Sequence, residues 1–440
     1  MFFNRGRWPQ PLSIRPSATV YTGRVRAILL IIGLLPAALP AAEQGVPLTL
    51  YAAEDIALDQ EPGQVAMLAR ADAFDDESIA ASQLPDPVMR MGLANYPIES
   101  GGFTTEGMTQ LQMGIRQAFP RRASLDAGKR RFESLALEMR GAADGRSRDV
   151  LQAARQAWLD LYYWQQAGEI TEASRPFFAD LAAVTESLYA LGRRDQQDLL
   201  RAQLELSRIE ERLIEIERQR AEAAATLSQW IGDAARRPAA GTLPHWETLP
   251  PLEALRAELS RHPALAAADA RIDASQARVD FADSAFKPGW ALDLGYGHRN
   301  GHLPSGEPRS DFISLTVSLD LPFFQENRQD RQLSAALSAR RAARESRTEV
   351  ERRLESLLAR EYSRWHELSR RLALYDERIL VQSRDHAEAA LVAYQSDATD
   401  FADVMRGYIN DLNTRVDYVR LQTDLAKSYA VLSNLGGIPR

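Results

Sequence analysis

Carboxylate and guanidinium groups recur in two stretches of this chain that lie half a chain apart. Tyr189–Arg208 reads YALGRRDQQDLLRAQLELSR, and Tyr394–Asn413 reads YQSDATDFADVMRGYINDLN. The two stretches align without a gap, and the matched charged residues are Asp195 with Asp400, Asp198 with Asp403, and Arg201 with Arg406. Carboxylates of this kind can attract cations or pair with neighbouring arginines such as Arg194. The chemistry that these stretches offer is electrostatic.

No pattern of a catalytic site accompanies these charges. The chain has no cysteine, no Gly-rich phosphate loop and no nucleophile elbow around a serine. His298 and His302 are close in sequence, but a metal site needs more ligands, and we expect them in a solvated loop. The sequence therefore predicts no enzyme, no cofactor and no metal site.

The charge balance and the first residues predict an exported protein. The formal net charge is -7, and residues 1–42 contain five arginines and no acidic residue, so the remainder is more acidic still. This acidity argues against nucleic acid as a partner. The basic start is followed by AILLIIGLLPAALPAA, which predicts a signal peptide over residues 1–42, with a membrane anchor as the alternative. Because cysteine is absent, we expect no lipid anchor after cleavage.

The repeat extends far beyond the charged motif. Pro62 and Pro87 recur as Pro263 and Pro288, and ATLSQWIG near residue 230 recurs as AVLSNLGG near the end. We therefore predict a first structural repeat over residues 43–232, a proline-rich linker over 233–251 and a second repeat over 252–437. Each repeat has the same predicted order: a helix (residues 49–82 and 252–285), two strands, a very long helix, a break and a second long helix.

Strict alternation of apolar with polar or small residues predicts four strands, at about residues 86–96, 109–119, 288–297 and 310–321. A soluble sandwich would show the same alternation, but two strands per repeat cannot form a stable sheet alone. Strands of about ten residues with an apolar outer face suit a membrane barrel. Aromatic residues near the strand ends suit its interfacial girdles, and they include Trp290, Tyr296, Phe312, Phe323 and Phe324. Four strands cannot close a barrel, so two or three chains must contribute strands.

The long helical stretches cover residues 123–190 and 326–395, and each spans roughly 100 Å if fully helical. After the first break, apolar residues recur at spacings of three and four from Leu199 to Trp230, with Arg220 as an exception. The sequence therefore predicts two long helical hairpins, and the repeated charged motif lies at their tips, far from the barrel.

This layout resembles the TolC-type outer-membrane efflux duct family over essentially the whole mature chain. The motif that carries the resemblance at the first tip consists of Tyr189, Gly192, Asp198, Leu199 and Ala202. The second tip keeps Tyr394, Asp403 and Val404, but has Asp397 in place of the glycine and Gly407 in place of the alanine. The segment QAFP at residues 117–120, with Gly128 and Lys129 shortly after, is similar to the cation-efflux (CusC/CzcC-like) branch, although RRASLDA interrupts the compact pattern of that branch.

The resemblance implies a mainly α-helical fold with a membrane β-barrel portion: a homotrimer with a twelve-stranded barrel in the outer membrane and a periplasmic helical tunnel. It implies a periplasmic membrane-fusion adaptor and an inner-membrane pump, of the RND type, as partners, and outer-membrane lipid around the barrel. The adaptor-docking turn would be Leu191, Gly192 and Arg193.

The resemblance also assigns a role to the charges at the tips. A ring of carboxylates near a closed aperture would favour cations and could be held by basic partners. Alternatively, the acids are N-terminal residues of the descending helices, where the helix dipole favours them. The candidate tip and gate residues are Asp195, Asp198, Asp400, Asp403, Arg194, Arg201 and Arg406.

The function predicted from the sequence is a passive outer-membrane exit duct for metal cations or small toxic compounds. A periplasmic coiled-coil adaptor or scaffold is an alternative from another class, because it would share the hairpins. Within the transport class, ducts for type I protein secretion or for organic drugs remain open, because a duct contacts many substrates weakly.

Overall fold

The computed structural model describes residues 46–244, 246, 249–396 and 398–436. The predicted signal peptide over residues 1–42 lies outside this part of the chain. Within the described residues, no helix combines the length and the hydrophobicity that crossing a bilayer requires.

Each repeat begins with two helices, and not with the single helix that the periodicity predicted. The helices are α1 (Leu50–Asp59) and α2 (Pro62–Ala81) in the first repeat, and α5 (Leu252–Leu259) and α6 (Pro263–Ser284) in the second. A proline occupies the first position of both α2 and α6. Proline lacks an amide hydrogen and disfavours helical geometry in the residue before it, so it ends one helix and starts the next. The prediction of one helix over 49–82 and over 252–285 was therefore wrong at these prolines.

The long hairpins form as predicted. The first hairpin consists of α3 (Arg122–Ala190) and α4 (Gln196–Ile231). The second consists of α7 (Gln329–Leu374), a π-helical turn (Tyr375–Ile379), α8 (Leu380–Gln395) and α9 (Phe401–Gly436). The helix expected from residue 326 thus begins at Gln329, and the π-helical turn interrupts it. The Tyr418 hydroxyl of α9 donates a hydrogen bond of 2.6 Å to Asp376 in this turn.

The four strands lie in one antiparallel sheet in the order β1-β2-β3-β4. They are β1 (Val88–Ala94), β2 (Gln110–Phe119), β3 (Trp290–His298) and β4 (Phe312–Leu319). Strands β2 and β3 come from different repeats and pair along their whole length, from Leu111 opposite His298 to Phe119 opposite Trp290. The sheet therefore joins the two repeats side by side, with β1 at one edge and β4 at the other.

The predicted linker over residues 233–251 connects the repeats, but its described residues pack against the helices. It opens with a 3-10 turn (Gly232–Arg236) and then pairs with the start of the first repeat through a parallel bridge between Leu48 and Ala239. Trp246 stacks on Tyr429 of α9 with ring centroids 4.7 Å apart. The four prolines that marked this segment as irregular do not prevent it from burying apolar surface.

Two of the apolar clusters hold the helices together next to the linker. In the first, the Trp158 indole of α3 is fully buried and donates a hydrogen bond of 2.9 Å to the Leu48 carbonyl. An ion pair between Arg155 of α3 and Glu54 of α1 is buried in the same layer, and Arg155 also donates to Ser433 of α9 at 3.0 Å. In the second cluster, Leu255 of α5 lies with Leu358 of α7.

Candidate functional site

The first hairpin tip is a helix-ending turn built around Gly192. The Gly192 amide donates to the Tyr189 carbonyl and the Arg193 amide to the Leu188 carbonyl, both at 2.9 Å. This pair of bonds is the Schellman pattern, which needs a residue in the left-handed region after the last helical turn. Gly192 has φ +68°, which explains why glycine stands there. Leu191, Gly192 and Arg193 are all exposed, and the Leu191 side chain is 70% exposed.

The second tip repeats the hydrogen bond that spans five residues, from Arg193 to Leu188 in the first tip. The Ala398 amide donates to the Ala393 carbonyl at 2.8 Å, at positions that match Arg193 and Leu188. Asp397, which stands in place of the glycine, lies outside the described residues. The repeat offset of 205 residues therefore preserves the backbone turn although the sequence of the turn has changed.

The two tips differ in how their tyrosines are placed. Tyr189 is 42% exposed, whereas the matching Tyr394 is only 7% exposed and contacts Phe401 edge to face at 5.7 Å. The Arg194 guanidinium of the first tip lies over the Tyr394 ring, 4.3 Å from its centroid. This cation–π contact joins the two hairpin tips. The sequence placed both residues at the tips, but it contained no signal that they would meet.

The four candidate acids also occupy unequal environments. Asp195 is the N-cap residue of α4, although its side chain makes no capping bond, and Asp198 follows in the first turn. In the second tip, the Asp403 carboxylate accepts a hydrogen bond of 2.8 Å from the Thr399 hydroxyl. The same carboxylate pairs with Arg406 at 2.8 Å. Asp198 and Asp403 both lie where a helix dipole favours a negative charge, so a role in helix termination is compatible with their positions.

Three further residues belong to the two tips: Arg201 to the first, and Asp400 and Gly407 to the second. Asp400 is exposed and directly precedes α9, while Arg201 is half-buried in the first turns of α4. Gly407 is buried, and a Cβ atom placed there would lie 3.1 Å from the Cα atom of Ala387 in α8. The glycine that departs from the alanine of the family motif therefore allows α8 and α9 to approach closely.

The sheet presents one apolar and one polar face, as the alternation predicted. In one row across all four strands, Met89, Ile115, Leu294 and Leu315 are opposite one another and are 53–67% exposed. The next row consists of Met91, Met113, Tyr296 and Ile313. A face of this kind, apolar over four strands and uncovered in a single chain, suits a lipid environment.

The predicted girdle residues are distributed over both faces of the sheet. Trp290 and Tyr296 lie on the apolar face, at opposite ends of β3, and Trp290 stacks on Phe119 with ring centroids 4.0 Å apart. Phe312 lies on the polar face, where the Arg299 guanidinium stacks over its ring at 3.9 Å. Phe323 and Phe324 follow β4 and are 77% and 84% exposed. Contact with lipid remains a prediction for this set.

The polar face of the sheet overlies a hollow of about 730 Å³. Arg90, Arg116 and Asp293 line it together with Gln112 and Ser314. Asp293 pairs with Arg90 at 3.5 Å and with Arg116 at 4.0 Å. The alternation of polar with apolar residues along each strand contains no signal that Arg90, Arg116 and Asp293 form one cluster.

The loops that follow β1 and β3 are joined to each other. The Arg309 guanidinium donates to the carbonyls of Glu106 at 2.9 Å and Thr104 at 3.3 Å. Asp311 receives a hydrogen bond from the Tyr296 hydroxyl, another from the Arg299 amide and a third from His298, which together lower the pKa of Asp311 to about 2. His298 is the last residue of β3 and pairs with Asp311. In the described residues, no group of three or more potential ligands could hold a metal ion.

Comparisons with known proteins agree with this architecture. Residues 254–437 match the model of a family described as outer membrane efflux protein. No curated protein matches the chain. A structure of CusC, solved in a study of transmembrane channel formation, has a TM-score of 0.74 at 15% identity and covers 88% of this chain and 92% of that chain.

Two further solved structures have the same fold. The outer membrane protein VceC of Vibrio cholerae has a TM-score of 0.72 at 18% identity, over 88% of this chain and 96% of that chain. The CmeC outer membrane channel of Campylobacter jejuni has a TM-score of 0.71 at 13% identity, over 88% of this chain and 85% of that chain. The likeness covers nearly the full length of each structure, so both repeats and the sheet take part in it.

Proposed function

We infer, from the match of residues 254–437 to the outer membrane efflux protein family, that this chain is an outer-membrane exit duct of a tripartite efflux system. The fold that the described residues share with outer-membrane channels supports the same conclusion for both repeats. Such a duct lies in the outer membrane, extends helices into the periplasm and works with a periplasmic adaptor and an inner-membrane pump. It conducts passively and is not an enzyme.

The observation that carries this function is the four-stranded sheet. One face is apolar and exposed across all four strands, the other is polar and overlies a hollow, and the edges at β1 and β4 belong to different repeats. A closed barrel removes such edges. We favour three chains with twelve strands over two chains with eight, because side chains fill the interior of an eight-stranded barrel and leave no pore. We therefore propose a homotrimer in which β4 of one chain pairs with β1 of the next.

The hairpin tips are proposed to meet the adaptor of an RND-type pump. Helix α3 has 69 residues, which places its last turn about 100 Å from its first. The exposed turn of Leu191, Gly192 and Arg193 at that end offers an apolar side chain and backbone groups to a partner. A Leu191→Ser variant that still forms channels but no longer restores efflux in a deletion strain would support this docking role. Full restoration of efflux would contradict it.

Metal cations are the proposed substrates, with organic toxic compounds as the alternative. The support is the QAFP segment with Gly128 and Lys129, together with the likeness to CusC. The decisive measurement is the growth of a deletion strain on a panel of metal ions and organic antimicrobials. Sensitivity confined to ions such as copper, zinc, cobalt or cadmium supports cation efflux, whereas sensitivity to dyes, detergents and antibiotics alone supports drug efflux.

The architecture itself is tested by fractionation and conductance. The full chain should be recovered in the outer membrane, purify in detergent as a trimer and open pores in planar lipid bilayers. A protein that is recovered as a soluble periplasmic monomer would instead fit an adaptor or scaffold, which shares the hairpins but does not need a lipid-facing sheet.

The carboxylates Asp198 and Asp403 are proposed to gate the periplasmic opening. Asp403 accepts a hydrogen bond from Thr399 and pairs with Arg406 of the same helix, so the support for a gate is the position of its charge at the hairpin tip. The test is the double variant Asp198→Ala with Asp403→Ala in planar bilayers. A rise in conductance with a fall in the ratio of potassium to chloride permeability supports a gate, whereas unchanged conductance and ion preference leave these acids as helix-terminal residues only.

A further inference from the structure

We propose that Arg90, Arg116 and Asp293 form a charge filter in the sheet-lined part of the duct, and that this filter favours small solutes bearing carboxylate, phosphate or other oxyanion groups. The proposal rests on the proposed function, because it requires the polar face of the sheet to line the pore. It adds a substrate class that the hairpin tips, which are rich in aspartate, do not suggest.

The cluster connects three strands through one carboxylate. Asp293 of β3 lies directly opposite Arg116 of β2 and pairs with it at 4.0 Å. Arg90 of β1 lies opposite Gly114, and Gly114 in turn lies opposite Gly295. Because neither glycine carries a side chain, the Arg90 guanidinium can reach diagonally over β2 to Asp293, at 3.5 Å.

The two arginines remain available to solutes. The Arg90 side chain is 58% exposed and the Arg116 side chain 35% exposed, whereas the Asp293 side chain is 23% exposed. Two guanidinium groups thus share one carboxylate that is more covered than either of them. An arginine has five N–H donors, so each guanidinium keeps donors that can bind an oxyanion, in pairs where the geometry allows.

Within the bounds of the four strands, the charge of this face is positive, and the nearest further carboxylate is that of Asp320, which follows β4 on the same side near Gly289. All residues of the four strands are described, and on the polar face the only charged ones are Arg90, Arg116 and Asp293. The other polar side chains there are uncharged: Gln110, Gln112, Ser314, Thr316 and Ser318. The excess is one positive charge per chain, and in a trimer three such excess charges would surround one pore.

This excess is effective because of where it lies. Charges separated by less than about 10 Å interact appreciably at 0.1 M salt, and a pore with low-dielectric walls focuses their field. Anions are therefore concentrated at this level of the pore and cations are depleted. A metal would pass it more easily as an anionic complex than as a free cation.

The experiment measures reversal potentials of the purified full-length protein in planar bilayers, across a tenfold KCl gradient. The wild type should be more permeable to chloride than to potassium. Asp293→Asn, which removes the only negative charge that the four strands place on this face, should increase the ratio of chloride to potassium permeability. Arg90→Gln with Arg116→Gln should lower the ratio below one. Arg122→Gln, at the exposed start of α3 and outside the strands, is the matched control and should leave the ratio unchanged.

The outcomes distinguish failure of the charge filter from failure of the proposed duct function. If the wild type forms no channels, the proposed function fails. If channels form but the ratio does not move in opposite directions in the Asp293 and arginine variants, the filter is overturned while the duct stands. If the double arginine variant does not insert, Asp293→Asn decides alone, because an unchanged ratio in that variant contradicts the filter.

Discussion

The first hairpin ends in a tip whose side chains face solvent, whereas the second ends in a tip that packs on its own aromatic rings. Leu191 and Tyr189 are exposed in the first, while Tyr394 and Phe401 are buried in the second. Both turns are nevertheless closed by the same backbone hydrogen bond, from Arg193 to Leu188 in the first tip and from Ala398 to Ala393 in the second. The repeat therefore preserves the backbone of the turn, while its side chains diverge, so that they are exposed in the first tip and packed in the second.

The buried layers next to the linker show the same divergence between the repeats. The offset of 201 residues that relates Pro62 to Pro263 also relates Glu54 to Leu255. Glu54 forms a buried ion pair with Arg155, whereas Leu255 shares an apolar layer with Leu358. The two repeats thus fill corresponding layers with opposite chemistry, one with charge and one with hydrocarbon.

The helix caps that precede the shared prolines differ in their response to pH. The Glu61 carboxylate accepts a hydrogen bond from the Gly63 amide at 2.8 Å, and His262 Nδ1 accepts one from the Ala264 amide at 3.2 Å. The role is the same, but only the histidine can lose its acceptor by gaining a proton near neutral pH.

The largest expected effect distinguishes the charged layer from the apolar one. Arg155→Ala leaves the Glu54 carboxylate buried without this cation, and we expect the free energy of unfolding to fall by about 3–5 kcal/mol. Glu54→Leu combined with Arg155→Leu copies the second repeat and should be neutral or stabilising. Chemical denaturation of the detergent-solubilised protein measures both. A double variant as unstable as Arg155→Ala would show that the layers are not interchangeable.

A smaller effect is expected where the second hairpin is more closely packed than the first. Gly407→Val places side-chain atoms against the backbone of α8 at Ala387, and overpacking of this kind costs about 1–3 kcal/mol. The matched change in the first hairpin, Ala202→Gly, should cost about 1 kcal/mol through helix propensity alone. Limited proteolysis should find only the second tip opened by Gly407→Val. Equal cleavage of both tips would contradict this assignment.

The pH dependence separates the two caps. Burial, followed by the charge of Arg148, lowers the pKa of His262, while the Asn434 side chain and the charge of Asp149 act in the opposite direction. The folded state therefore binds fewer protons than the unfolded state. The stabilisation that the neutral His262 side chain contributes to the folded state is complete above about pH 6.5. It is lost as the pH falls from there towards the lowered pKa of His262.

Variants at the two caps test this dependence. His262→Asn keeps an acceptor at the cap and should remove this part of the pH dependence of the unfolding free energy, whereas Glu61→Gln should retain it. His262→Ala should cost about 1 kcal/mol at pH 8 through loss of the cap. An unchanged pH profile in His262→Asn would assign the dependence to other groups.

The smallest expected effect concerns the contact between the tips. A double-mutant cycle of Arg194→Gln and Tyr394→Leu should give a coupling energy of about 0.5–1 kcal/mol, because the Arg194 cation is only half-buried. The neighbouring Arg193→Gln should show no coupling to Tyr394→Leu, because Arg193 is exposed at the turn. Thermal unfolding in detergent is the measurement, and equal coupling for both arginines would make the effect a general one of charge.

The parts of the fold that depend on local periodicity could be predicted from the sequence. The strands alternate and the hairpins have helical spacing, so both were placed to within a few residues. The break at Pro62 was missed because periodicity continues on both sides of it. The π-helical turn at Tyr375–Ile379 and the close approach at Gly407 depend on contacts between helices, which no single stretch of sequence reveals.

The candidate site was predictable in position but not in its contacts. The repeat offset identified both tips, because it compares residues that share a backbone environment. The pairing of Arg194 with Tyr394 could not be found in this way, since it joins residues 200 positions apart that do not correspond in the repeat. The Arg90, Arg116 and Asp293 cluster was hidden for a similar reason, because only the register of β1, β2 and β3 brings them together.

The uninterrupted length of α3 has a mechanical consequence. Because α3 continues through Pro176 for 69 residues, or about 100 Å, a tilt of one degree of the helix at the sheet end moves the far end by nearly 2 Å. A displacement of that size is comparable with the reach of a hydrogen bond. Small rotations at the sheet end are thereby converted into the making or breaking of individual contacts at the opposite end of the helix.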